Sequence, residues 1–313
     1  MMKKALIAMI FTTLLAVNAL AQNGSKAEEE FPYVAVPDTV TTDESRFSYF
    51  VTHFWDKVNF TRPLTNIPKF LDAFETYIQA FAYAHPNVVV TSVRHLMNKA
   101  QVYTKNLEAL VAASEYFLYN PMSQYVNDTA FTLFVQEFLK NKSTAKDMRE
   151  YYSAKLAQIS SCQLGSVIPS IDYTDLHGKK QSISNIDAKF LLIMIDDVAD
   201  SGGASALTRV RLSTDSNINS FIENGDLKVL VLSDCKYSKE WFNEAKNYNS
   251  NWMVGTTDNF GNLDLRYKPC FYLLNKDKEF IYKHLTIDDV KAFEITRAQT
   301  TEAATTEQTP END

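Results

Sequence analysis

Six consecutive apolar residues, Phe190-Leu191-Leu192-Ile193-Met194-Ile195, run from Lys189 to the acidic pair Asp196-Asp197. A half-buried strand alternates apolar and polar side chains, so an unbroken run of this length marks a strand covered on both faces. Such a strand needs a layer packed on each side of its sheet. Val229-Leu230-Val231-Leu232 repeats the signal. Cys270 to Leu274 and Phe280 to Tyr282 flank Asn275-Lys276-Asp277-Lys278, whose composition is that of a turn, and together they read as a hairpin. Between the first two runs a helix is expected from about Ser205 to Asn224, stopped by Gly225. A further helical piece is expected from Trp241 to Tyr248. The order strand, helix, strand, helix, strand, strand predicts an α/β layered domain with a mixed sheet over residues 159–295.

Residues 43–158 have a different periodicity. Phe70, Ala73, Phe74, Tyr77, Ile78 and Phe81 fall on one helical stripe. Leu107, Leu110, Val111, Ser114, Phe117 and Leu118 repeat it, as do Phe131, Phe134, Val135, Phe138 and Leu139. His85-Pro86 and Asn120-Pro121 interrupt the pattern, because the residue before proline is pushed out of the helical region. The segment predicts an antiparallel bundle of five or six helices, with its aromatic stripes buried as core rather than lining a groove. The chain as a whole is therefore expected to be α+β with two domains.

The ends are of other kinds. Met1-Met2-Lys3-Lys4, the apolar run from Ala5 to Val17, and Ala19-Leu20-Ala21 form a basic segment, a hydrophobic segment and a small-x-small cleavage site. The apolar run is shorter than the roughly 20 residues of a spanning helix, so residues 1–21 read as a cleavable export signal. The mature chain then starts at Gln22 and works in the periplasm or outside the cell. Residues 22–42, with Glu28-Glu29-Glu30, Pro32 and Pro37, read as an extended lead-in. Residues 296–313 are rich in Thr, Glu and Ala and cannot bury enough apolar surface to offset ordering, so disorder is expected there.

A net charge of -7 argues against nucleic acid and against adhesion to an anionic membrane. Cys162, Cys235 and Cys270 form no C-x-x-C pair. The histidines, His53, His85, His95, His177 and His284, are scattered without metal-ligand spacing. No metal and no cofactor are expected.

Three motifs carry a resemblance. Gly165-Ser166-Val167-Ile168-Pro169 is similar to a G-x-x-x-P element before a first strand. Asp175-Leu176-His177-Gly178-Lys179-Lys180 with Ser182-Ile183-Ser184 is similar to D-x-x-G-K followed by S-L-S. Arg266-Tyr267-Lys268-Pro269-Cys270-Phe271-Tyr272-Leu273-Leu274-Asn275 is similar to Y-x-I-x-x-x-P-T-x-x-L-L-D. In this order they resemble the exported thioredoxin-like proteins of the TlpA-like kind. The resemblance implies a thioredoxin-like fold and a cis proline at Pro269. More faintly, Ser48 to Asp56 with Asn59-Phe60 resembles the opening of a domain of unknown function that often precedes thioredoxin-like domains in exported bacterial proteins.

The chain departs from the family at its chemical centre. The family carries C-x-x-C directly after the central strand, at a helix N-terminus that favours the thiolate. Set against that pattern, Ala199 and Gly202 occupy the two cysteine positions, and no cysteine occurs between Phe190 and Asp234. Dithiol exchange needs an attacking and a resolving thiol, so it is expected to be lost. Three readings follow. In the first, a redox-inactive scaffold binds a peptide or protein partner at the cis-proline edge, with Asp197, Asp200, Lys268 and Pro269 lining it. In the second, Cys270 acts alone in disulfide exchange, against the plainer reading of a small buried strand residue. In the third, the helical domain carries a structural or assembly role.

Overall fold

A computed structural model describes residue 31, residues 34–197 and residues 203–291. The segment read as an export signal, about half of the segment read as a lead-in and the segment read as a tail lie outside the described residues. The chain forms two compact units that divide between Phe117 and Leu118.

The first unit is helical: α1 Asp43–His53, α2 Ile67–Gln79, α3 Pro86–Ala100 and α4 Thr104–Ser114. Side chains start three of these helices. Thr42 accepts from the Ser45 amide, Asn66 from Lys69, and the His85 ring from Asn87, each supplying an acceptor for an otherwise orphaned first-turn donor. Proline follows at the first turn of α2 and α3, where its missing N–H costs nothing. The stripe residues Phe70, Phe74, Tyr77 and Ile78 are buried, as are Leu107, Leu110 and Val111. Trp55 packs edge-on against Phe54 and Tyr77. Buried Asn106 pins the stretch between α1 and α2: its amide nitrogen donates to the Phe60 and Arg62 carbonyls and its oxygen accepts from Leu64.

The second unit opens with α5 Asp128–Lys140 and α6 Lys146–Ser161. Seven strands follow: β1 Asp172–Asp175, β2 Lys180–Ser182, β3 Phe190–Asp196, β4 Leu227–Asp234, β5 Met253–Thr257, β6 Cys270–Leu274 and β7 Phe280–Leu285. They form one mixed sheet in the order β2-β1-β5-β4-β3-β6-β7. The β3–β4 and β4–β5 pairs are parallel and the others antiparallel. β3 is central and buried along its whole length. Leu191, Ile193 and Ile195 pack with Cys270 and Tyr272 on one face; Phe190, Leu192 and Met194 pack with Leu212, Ile218 and Trp241 on the other.

The helix expected over 205–224 is two helices, α7 Ala204–Ser213 and α8 Ser216–Glu223. Asp215 breaks the run by accepting from the amides of Asn217 and Ile218, so it starts a new helix instead of continuing the old one. Gly225, at φ +78°, closes α8. The next helix, α9 Lys239–Ala245, begins earlier than the apolar pattern suggests because Ser238 caps it, and it also ends earlier. A last short helix, α10 Ile287–Lys291, follows β7. β2 and β5 have no strand signal in the sequence, and β1 is implied only by the resemblance that sets Gly165 to Pro169 before a first strand. β5, Met-Val-Gly-Thr-Thr, is short and holds a glycine, which weakens a strand signal. The glycine is needed: a Cβ at Gly255 would lie 2.2 Å from the Tyr173 ring of β1.

Candidate functional site

The corner of interest lies at the carboxyl end of β3. Asp196, its last residue, has no solvent exposure although it carries a charge. Arg209 of α7 donates to both of its carboxylate oxygens, at 2.6 and 2.7 Å, and the Tyr248 hydroxyl donates to Oδ2 at 2.9 Å. The guanidinium also lies 4.6 Å from the Tyr248 ring centre. Burial and the Asp196 charge push the Tyr248 phenol up, so it remains a donor. Next in sequence, the Asp197 amide donates to Ser205 Oγ in the first turn of α7. Ala199, Asp200 and Gly202 lie outside the described residues.

β4 and β6 flank this corner. Asp234 ends β4, and Lys268 precedes β6 by two residues. Because β3 separates those strands, the ion pair between Lys268 and Asp234 crosses the end of β3. The Lys268–Pro269 peptide bond is cis. Lys268, Pro269 and Asp197 are thus brought together at one end of the central strands.

Cys270 does not open onto this end. It is 1% exposed, pairs with Ile195 of β3, and belongs to the core on the other side of the sheet from Met194 and α7. Burial pushes its thiol up to about 12. Cys162, buried on the same face, accepts from the Asp264 amide at 3.3 Å, and burial holds its thiol near 11. Cys235 is half-buried, 3.2 Å from Thr256 Oγ1, and its thiol is likewise raised by burial. It lines a cleft of about 260 Å³ with Asp172, Tyr173, Lys180, Lys236 and Tyr237. All three thiols are free.

Behind the cis proline lies a charge cluster that sequence reasoning missed. Arg266 pairs with Asp264, and its Nη1 donates to Asp128 of α5 at 2.8 Å. Lys283 of β7 donates to the other Asp128 oxygen at 2.8 Å. Burial raises the Asp128 carboxyl, but Arg266 and Lys283 outweigh it and hold the group below the usual carboxylate range. The Tyr119 hydroxyl donates to Asp264 at 2.8 Å, and the Tyr119 ring carries Arg266 at 4.0 Å and Lys155 at 4.4 Å. Asp264 and Arg266 sit within or beside the proline motif, so their proximity to it was visible. Their partners Tyr119 and Asp128 lie more than a hundred residues away and left no local signal. Among the described residues, no group of three or more His, Cys, Asp or Glu side chains is placed to hold a metal ion. No helix among them is long and apolar enough to cross a membrane.

Residues 14–161 match the model of a domain of unknown function, DUF5106. The crystal structure of a thioredoxin-like protein from Bacteroides caccae superposes with a TM-score of 0.71 at 21% identity, covering 86% of this chain and 98% of that one. This likeness establishes the thioredoxin-like fold. The C-terminal domain of an uncharacterized protein from Bacteroides fragilis matches at 26% identity and a TM-score of 0.39, covering 42% of this chain and 96% of that one. The thioredoxin domain of a thiol-disulfide oxidoreductase from Bacteroides vulgatus matches at 19% identity and a TM-score of 0.33, covering 44% of this chain and 97% of that one. No curated protein sequence matches the chain.

Proposed function

We propose that this chain is an exported, redox-inactive thioredoxin-like protein that binds an extended peptide or protein segment at the edge formed by Asp197, Lys268 and Pro269. Export follows from the signal read over residues 1–21, with release at Ala21. The observation that carries the reading is the state of Asp196. Its carboxylate is committed to Arg209 and Tyr248, so the corner holds a closed ion pair, and beside it Cys235 after β4 and Cys270 of β6 are both held above the ordinary thiol value by burial. Without an attacking thiolate and a resolving partner, disulfide exchange has no first step. The backbone of the loop at the proline does not depend on cysteine, and main-chain hydrogen bonds can hold an extended segment there. Single-thiol chemistry at Cys270 is the weaker reading, because a thiol held near 12 in the core is almost wholly protonated at neutral pH.

The test is an NMR titration of the full chain with reduced, carboxymethylated insulin B chain as an extended probe. Amide shifts are expected at residues 197 and 266–271, and Lys268→Glu, which sets two carboxylates against each other with Asp234, is expected to weaken binding at least tenfold. Shifts confined to residues 43–117 would overturn the docking reading in favour of a role for the helical unit.

A further inference from the structure

The cluster behind the proline contains one group that its charges do not use. His284 of β7 has Nε2 buried with no hydrogen-bond partner. Its nearest carboxylate oxygen, Asp264 Oδ2, is 3.6 Å away, too far for a hydrogen bond, and Asp264 is already taken by Arg266 and the Tyr119 hydroxyl. The other groups facing it are Arg266 from the same loop as Asp264, Lys283 beside it on β7, and Asp128 from α5. The rings of Tyr267 and Tyr272 lie 6.3 and 5.5 Å away. Two carboxylates thus stand against two cations, and a neutral imidazole completes a balanced cluster. His284 also holds φ at +54°, a region non-glycine residues seldom take, so its surroundings fix its backbone. The Tyr267 hydroxyl donates to its carbonyl and ties that backbone to the loop leading into Pro269.

We propose that His284 is an acid-sensitive latch on the loop 264–269: neutral, it lets the Asp128–Arg266–Asp264–Lys283 cluster hold the loop, and protonated, it sets a third cation against the cluster's two carboxylates and loosens the docking edge. The proposal rests on the reading of that edge as a binding surface only for its functional consequence. Burial first, and then Arg266, push the imidazole down to about 4 from an ordinary value of 6.5. A depressed value means the folded state favours the neutral ring, so the restraint is complete above about 6.5 and is lost as the pH falls toward 4.

Amide hydrogen exchange of the full chain at pH 7 and pH 4, corrected for intrinsic rates, tests this without any ligand. Protection of residues 264–270 is expected to fall at least tenfold in the wild type and less than twofold in His284→Asn, a residue that tolerates positive φ and does not titrate. An equal fall in both, or none in the wild type, overturns the proposal. If the variant does not fold, the wild-type pH profile decides: loss of protection at residues 264–270 that follows the imidazole titration supports the latch, and loss that does not follow it overturns the proposal. Failure of the insulin B chain to bind would remove the docking reading and leave the latch intact, whereas failure here leaves the docking reading intact.

Discussion

Arg209 sets a single guanidinium nitrogen against both oxygens of the Asp196 carboxylate, inside the sheet–helix interface of the thioredoxin-like unit. Breaking a buried pair from one side strands the other charge, which typically costs about 3–5 kcal/mol. Arg209→Met is therefore expected to lower unfolding free energy by about that amount in urea titration. Adding Asp196→Leu to Arg209→Met is expected to recover most of the loss, since an apolar pair leaves no stranded charge.

The cysteines are expected to be inert in the native state. With thiols held near 12 and 11, Cys270 and Cys162 should react with iodoacetamide at pH 8 more than about a hundred times slower than an exposed thiol, because only the thiolate attacks. Half-buried Cys235 is expected to label first. Time-resolved peptide mapping after quenching reads the order, and rapid labelling of Cys270 would contradict it.

Tyr119 joins the stretch before α5 to the proline loop by a hydroxyl and a ring. Tyr119→Phe removes one hydrogen bond to a buried carboxylate and is expected to cost about 1–3 kcal/mol. Tyr119→Leu also removes the ring facing Arg266 and Lys155 and is expected to cost more. Equal stability of the two variants in thermal unfolding would mean that the ring contributes nothing.

The sheet was legible where one residue type decided the outcome. Leu191 to Ile195 announced a central strand because no polar residue interrupts them, and the turn at 275–278 showed in Asn275, whose side chain accepts from the amides of Asp277 and Glu279. Phe70, Phe74 and Tyr77 announced the helical core in the same way. What escaped depends on partners distant in sequence. β1 and β5 exist because they pair with each other and β5 also pairs with β4, and neither has a strong pattern of its own. Arg209 reads as an ordinary helix residue until β3 places Asp196 beneath it. His284 reads as one scattered histidine among five until Asp264, Arg266 and Asp128 converge on it.

Gly255 gives a sharper check of that packing. Gly255→Ala places a methyl carbon against Tyr173 and the Thr174 carbonyl, and overpacking of this kind is expected to cost about 1–3 kcal/mol. Gly255→Ala combined with Tyr173→Ala is expected to cost less than the sum of the two single changes, measured as a double-mutant cycle. Strict additivity would contradict the close approach.

The most direct measurement is disulfide exchange itself: the native full chain is incubated with oxidised glutathione at pH 7.5, quenched in acid and its cysteines mapped by mass spectrometry, and in a separate assay insulin reduction is followed with dithiothreitol as the electron source, against dithiothreitol alone. No mixed disulfide on Cys270 and no insulin turnover beyond that of dithiothreitol alone are the expected results. A glutathione adduct on Cys270 in the folded chain, or sustained reduction of insulin beyond that of dithiothreitol alone, would contradict redox inactivity.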